Sequence, residues 1–262
     1  MYNLPTQPLG IGKLLDSGFK LFFAGFKNIL GLLGIQALLS IAVLGGLIMS
    51  ILGIISSNTP DAQDVMLSTI GIFVIAYSVL SIVFYAGYIA KFNSTANGGS
   101  MGLGESLGTG FKKFFPIIFF SILYMLAVVI GSILLIIPGI ILMISLSLGM
   151  YLIVTDNLGP IDALKQSHAY VWGNWWRTLL YISIAGIISM IIYFILLIPF
   201  GFIIGFLAQG DPMMLAMIDI MNQFLSFVIT PFMVAMFLPL ISDLRLRKQG
   251  GDLAARIGTA TA

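Results

Sequence analysis

Polar residues are scarce in this sequence, and four of them share one helical face. Asp219, Asn222, Gln223 and Ser226 follow i, i+3, i+4, i+7 spacing near the start of an apolar stretch. A carboxylate flanked by amides and a hydroxyl can line a water-filled cavity or pass a proton. At the centre of a membrane helix a charged acid costs about 2.5–3.5 kcal/mol on insertion scales. The simpler reading starts the span later and leaves the stripe partly among lipid headgroups, where the cost is lower. No basic residue lies inside a span to pair with Asp219, but Gln36 and Ser40, four apart, are candidate hydrogen-bonding partners. Asp156 precedes Gly159-Pro160 and reads either as an ion or headgroup contact or, more simply, as a cap or turn residue. His168 is the single histidine. Its reference pKa of about 6.5 would suit a pH sensor. It falls with Ile161 and Leu164 on the apolar side of its helix, where packing is the simpler role.

These residues assemble no reaction centre. No acid stands at a useful spacing from the one histidine, so no Ser/His/Asp set can be built. The chain has no cysteine, which excludes thiol chemistry, disulfides and thiolate metal sites. One histidine cannot form a metal cluster. We expect no enzyme activity, no cofactor and no nucleic-acid partner.

A second group of residues could act at a membrane surface. Lys13, Lys20 and Lys27 recur every seven residues, near one helical stripe. With Lys112, Lys113, Lys165 and Arg177 they form a basic collar. Trp172, Trp175 and Trp176 are all three tryptophans of the chain, inside five residues, and tryptophan is enriched at headgroup level. Anionic headgroups are the natural counter-charge, at roughly 1 kcal/mol per basic residue near the surface. The alternative is that the collar only sets topology.

The elements that must carry these residues are membrane helices. Of 262 residues, 59% are hydrophobic and 8% charged. Soluble domains carry roughly 25% charged residues. The mean hydropathy of +1.09 makes lipid the solvent for most of the chain. Six segments are long and apolar: Asn28–Ile55, Val65–Ala90, Phe114–Ile137, Ile140–Val154, Trp175–Leu207 and Met214–Ile241. The fourth is short, and a Pro138-Gly139 turn separates it from the third. The alternative is a re-entrant hairpin there. Met1–Gly10 holds two prolines and no basic run, so it does not read as a cleaved signal peptide.

Charge placement sets the expected orientation. All 12 Lys and Arg lie before span one, between two and three, around the connection from four to five, or after six. The other three connections carry Asp61, Asp64 and Asp211 and no basic residue. By the positive-inside rule both termini are cytoplasmic.

The chain also matches itself. Each odd span follows an amphipathic stretch: Ile11–Phe26, with Leu15, Phe19, Phe22, Phe23 and Phe26 as its apolar face, then Met101–Phe111, then Pro160–Gly173. A shift of 61 residues puts Leu103 on Leu164, Ser106 on Ser167, Phe114-Phe115 on Trp175-Trp176, and Pro138 on Pro199. A shift of 89 puts Asp16 on Glu105 and Ser17 on Ser106. The expected fold is therefore all-α and polytopic. It has six transmembrane helices as three hairpin repeats (about 11–90, 101–154 and 161–241), each preceded by a cytoplasmic amphipathic helix, with 242–262 as a cytoplasmic tail.

The stretch from Ile137 to Arg177 carries a family resemblance. It reads Ile-Pro-Gly-Ile-Ile, a short apolar span, Asp156-Asn-Leu-Gly-Pro160, Ala163-Leu-Lys-Gln-Ser167 and Trp172-Gly-Asn174. It resembles the YciC-like family of bacterial inner-membrane proteins and the membrane domain attached to some glycerophosphodiester phosphodiesterases. The resemblance implies a multi-pass protein of the bacterial cytoplasmic membrane and no established activity. In the phosphodiesterases the chemistry belongs to a separate soluble domain, which nothing in this sequence resembles.

Two functions follow as expectations. The first is a non-enzymatic membrane protein supporting envelope or lipid homeostasis, with membrane lipids and a protein in the membrane as partners. The second is a small secondary transporter or channel with a polar path near Asp219. The topology is testable because the chain is free of cysteine. Asn58→Cys should react with an impermeant thiol reagent added outside intact cells, and Gly98→Cys only after permeabilisation. The reverse pattern would invert the orientation.

Overall fold

In lipid every backbone N–H and C=O must find a partner within the chain, so apolar segments of this length fold as helices. The computed structural model describes the backbone of residues 4–57, 61–208 and 212–260, and the side chains of 4–56, 61–199, 201–202 and 225–250. Eight helices and no strand occur among the described residues: α1 Ile11–Ser57, α2 Ala62–Ala96, α3 Leu103–Leu134, α4 Ile136–Ser145, α5 Gly149–Thr155, α6 Pro160–Val171, α7 Trp175–Ala208 and α8 Pro212–Ala260. Six stretches are long and apolar enough to cross a membrane: α1, α2, α3, the pair α4–α5, Trp175–Pro199 of α7 and Leu225–Gly250 of α8.

Two of the expected surface helices are not separate elements. Ile11–Phe26 is continuous with the first span in α1, and Met101–Phe111 leads without a break into the span of α3. Neither junction holds a helix breaker. At 47 residues α1 is about 70 Å long, well beyond the ~30 Å hydrocarbon core, so part of it extends past the bilayer. Only the third stretch forms its own helix, α6. Pro160 starts it, and Gly173 at φ 87° sets the turn that ends it. The 242–262 segment is likewise not a separate tail, because α8 runs on to Ala260. The face of α1 that packs inward keeps Leu15, Phe19, Phe22 and Phe26 of the expected set and loses only Phe23. Leu14, Leu21, Phe22, Ile29 and Leu32 are buried, whereas Phe23 is 70% exposed.

The second hairpin turns at Leu135, not at Pro138-Gly139. Leu135 alone is extended (φ −163°, ψ 143°) between α3 and α4. Pro138 sits in the first turn of α4, where its missing N–H is one that no helix bond would have used. Gly139 lets the two helices touch, since a Cβ there would collide with Ser132. The aligned Pro199 lies inside the unbroken α7, so the two copies differ locally at this point.

The fourth span crosses as a broken helix. α4 and α5 meet at the turn Leu146–Leu148. Ser167 of α6 repairs the break: its hydroxyl donates to the Ser145 carbonyl (2.8 Å) and accepts the Leu148 N–H (3.2 Å). Gly149 follows directly, and a side chain there would strike the ring of Phe120. Inside a membrane such a break is tolerated only when a neighbour satisfies the freed groups. Here α6 is that neighbour.

α8 is the central helix. Two thirds of its most apolar window (67%) is buried, against 6–17% for α1, α2, α3 and α7. Its Phe232 ring meets Phe22 of α1 at 5.4 Å, and Phe22 in turn stacks on Phe92 of α2. Its Phe237 stacks on Tyr151 of α5 at 5.0 Å. The outer helices present exposed Leu, Ile, Val and Phe, which is the arrangement lipid requires.

Close packing between α2 and α3 depends on Gly110, where an added Cβ would meet the Val83 backbone. Gly108, two residues earlier, faces open space. Gly110→Ala should therefore lower stability by about 1–3 kcal/mol through overpacking. Gly108→Ala should be neutral or stabilising by up to ~1 kcal/mol. Thermal unfolding of the two variants in detergent makes the comparison.

Candidate functional site

A buried carboxylate organises one polar cluster. Asp243 lies on α8, directly after the apolar run ending at Ile241, and is fully buried. Three groups neutralise it. Arg177 of α7 donates from Nε (3.2 Å) and Nη2 (3.1 Å) to Oδ2. Arg247, one helical turn on, donates from Nε at 2.9 Å. The Leu9 N–H donates to Oδ1 at 2.8 Å. Both arginines also reach the Leu9 carbonyl, Arg247 at 3.0 Å. A charge taken out of water needs this degree of satisfaction. The result ties the segment before α1 to α7 and α8.

A second ion pair lies beside the first. Arg245 Nη2 meets Asp156 Oδ2 at 2.6 Å, and its guanidinium sits 5.9 Å from the centre of the Tyr170 ring. Asp156 caps the C-terminus of α5 and also accepts from Thr155 at 3.0 Å. The next residue, Asn157, takes a left-handed φ of 57°, which asparagine tolerates, and its side chain accepts from Lys113 of α3. These contacts gather the starts of α1, α3 and α7, the α5–α6 turn and the distal part of α8 at one polar cluster. Beside the Asp156–Arg245 pair lies a cavity of about 160 Å³, lined by Leu4, Asn93, Asn97, Asp156, Ser242 and Arg245 among others.

The structure separates the collar residues. Lys13, Lys27, Lys112 and Lys165 are exposed and make no ion pair among the described residues. Lys20 pairs with Asp16 at 2.6 Å on an exposed face. Lys113 is engaged by Asn157. Arg177 is not a collar residue, because its charge is consumed internally by Asp243. Trp172 and Trp176 are exposed, while the Trp175 indole donates to the Ile141 carbonyl at 3.3 Å. The three indoles border an apolar groove of about 360 Å³ together with Ile137 and Ile141 of α4. His168 packs its ring against Trp172 at 5.0 Å, as an amphipathic packing residue would.

Of the polar stripe, the side chains of Asp219, Asn222 and Gln223 lie outside the described residues, and Ser226 is half-buried. Gln36, one of the candidate partners of Asp219, accepts the Tyr88 hydroxyl. Ser40 has a buried hydroxyl with no partner. Among the described residues no three His, Cys, Asp or Glu side chains gather as a metal site. Sequence reasoning missed Asp243. The available signal was Asp243-Leu-Arg245-Leu-Arg247, an acid closing an apolar run with arginine at i+4.

Comparison with known proteins gives the family. A profile described as "Uncharacterised protein family (UPF0259)" matches residues 34–234. The chain belongs to the UPF0259 family. A UPF0259 membrane protein of Pectobacterium carotovorum subsp. carotovorum is 27% identical over 124 residues. That match spans 47% of this chain and half the length of the relative. No solved structure matches significantly. This is a helical membrane protein with several transmembrane helices. The UPF0259 profile includes Lys113, Asp156 and Arg177 but ends before Asp243, so the cluster straddles its boundary.

Asp243→Asn should lower stability by about 3–5 kcal/mol, because it strands the Arg177 and Arg247 charges in a desolvated place. Lys20→Ala, at an exposed pair, should change it by less than about 0.5 kcal/mol. Thermal or denaturant unfolding in detergent compares them. Equal effects would mean that the Asp243 cluster is solvated.

Proposed function

We propose that this chain is a non-enzymatic integral protein of a bacterial cytoplasmic membrane that supports envelope or lipid homeostasis by contacting anionic lipids. One observation carries the reading. Lys13, Lys27, Lys112 and Lys165 stand exposed without ion pairs among the described residues, and Trp172 and Trp176 stand exposed beside an apolar groove. Cationic side chains that lack a protein counter-charge fit a negatively charged surface, and exposed indoles fit the zone where apolar tails meet headgroups. In this reading both termini are cytoplasmic. The three units, about 11–90, 101–154 and 161–241, descend from one helical hairpin with an amphipathic entry stretch. The resemblance of Ile137–Arg177 to the YciC-like family, and to the membrane domain of glycerophosphodiester phosphodiesterases, supports a lipid-facing role.

A transporter or channel is the second reading. The broken α4–α5 helix favours it, since discontinuous helices line substrate paths in many transporters. The decisive residue would be Asp219: loss of flux in Asp219→Asn with retained folding would support this reading.

For the lipid reading, the protein is purified with bound lipid and the anionic fraction is measured by mass spectrometry. Changing Lys13, Lys27, Lys112 and Lys165 to Gln together should reduce retained phosphatidylglycerol several-fold and flatten its salt dependence. Unchanged retention would leave the lysines as topology signals alone.

A further inference from the structure

The cavity beside Asp156 and Arg245 has features that packing does not require. It lies where α2, the α5–α6 turn and α8 meet, with Leu4 of the N-terminal segment on one wall. Its volume, about 160 Å³, is enough for several waters or a small polar group. Its walls hold one fixed cation, Arg245, and one fixed anion, Asp156, with the amides of Asn93 and Asn97 and the Ser242 hydroxyl beside them. Arg245 is only partly used. Its Nη2 holds Asp156 and its guanidinium sits over the Tyr170 ring, while its buried Nε–H has no hydrogen-bond partner among the described residues. Desolvated donors of that kind are normally satisfied. Asp156 has spare capacity as well: it accepts from Thr155 and Arg245, and a carboxylate offers about four lone-pair sites.

The charge balance selects the ligand class. The pair sums to zero, so a ligand of net charge would leave an uncompensated ion in a half-enclosed space. A ligand carrying both signs close together leaves none. Its oxyanion meets the guanidinium, which is shaped for phosphate, and its ammonium meets the carboxylate. We infer that this cavity binds a zwitterionic phosphate-ammonium group. A phosphatidylethanolamine headgroup and soluble phosphoethanolamine share that chemistry. Arg245 takes the phosphate, Asp156 the ammonium, and the asparagine amides line the remaining wall. The site is separate from the exposed lysines, so it stands or falls independently of the anionic-lipid reading.

The test uses the full chain in detergent, stripped of lipid and exposed to phosphatidylethanolamine or phosphatidylglycerol, with retention read by native mass spectrometry. In the four-lysine variant, where the anionic-lipid contacts are removed, phosphatidylethanolamine should be retained at least fivefold over phosphatidylglycerol. Asn93→Leu, which fills the cavity and leaves the Arg245–Asp156 pair intact, should reduce its retention about tenfold. Arg245→Lys keeps the charge and removes the fork, and should do the same. Both variants are checked for an unfolding temperature near that of the parent. The four-lysine variant should keep its phosphatidylethanolamine. Displacement of bound lipid by millimolar phosphoethanolamine would support headgroup recognition from either source. Lipid retention without such displacement would support the lipid as the ligand. Equal retention of the two lipids in the four-lysine variant, or full phosphatidylethanolamine retention in both folded cavity variants, would overturn the inference.

Discussion

Asp243 carries its charge where water does not reach, and a desolvated carboxylate is tolerable only when its lone pairs are filled. Two arginines and one backbone amide fill them, and each comes from a different stretch of chain. Arg247 is local, one turn along α8. Arg177 begins α7, and Leu9 precedes α1. Meeting the needs of one acid therefore fixes the end of α8 against α7 and folds the N-terminal segment onto both. α8 is also the most buried helix, so the charge cluster sits at the end of the apolar axis of the protein. The cost of separating those charges acts on the elements that bury the most apolar surface.

The same accounting explains the fourth span. A membrane helix that breaks exposes backbone groups to hydrocarbon, so a break needs a donor and an acceptor from elsewhere. Ser167 is both at once, toward Leu148 and Ser145. This gives α6 a role that amphipathic patterning alone did not suggest. It is a brace for α4 and α5 as well as an entry to α7. The tryptophans follow from that placement. Trp175 turns inward to Ile141, while Trp172 and Trp176 stay outside.

Legibility differed by residue for physical reasons. The six apolar stretches were readable because hydropathy over about 20 residues is a local sum. The exposure of Lys13 and Lys27 agrees with their seven-residue spacing on an amphipathic stretch, whereas no spacing argument covered Lys112 and Lys165. The turn at Leu135 was not readable: Pro138-Gly139 is a turn signal, but proline is equally at home in the first turn of a helix. The separate surface helices expected before spans one and three failed because nothing at Phe26–Asn28 or Phe111–Phe114 stops a helix. The inward face of α1 was legible in Leu15, Phe19, Phe22 and Phe26, which pack against the core, but helical spacing did not show that Phe23 would face outward. Arg177 was grouped with the lysines because, within its own segment, it resembles them.

By itself the sequence determined the solvent, the number of apolar stretches, the exclusion of thiol chemistry and the connections in which basic residues gather. Each of these is a property of composition or of local order along the chain. Only the tertiary structure decided which charges are free. Asp243 and Arg177 stand 66 positions apart, and Leu9 and Asp243 stand 234 apart, and no periodicity relates them. Their pairing is set by desolvation in the assembled bundle, where an acid must take whichever donors the packing of α1, α7 and α8 brings within reach.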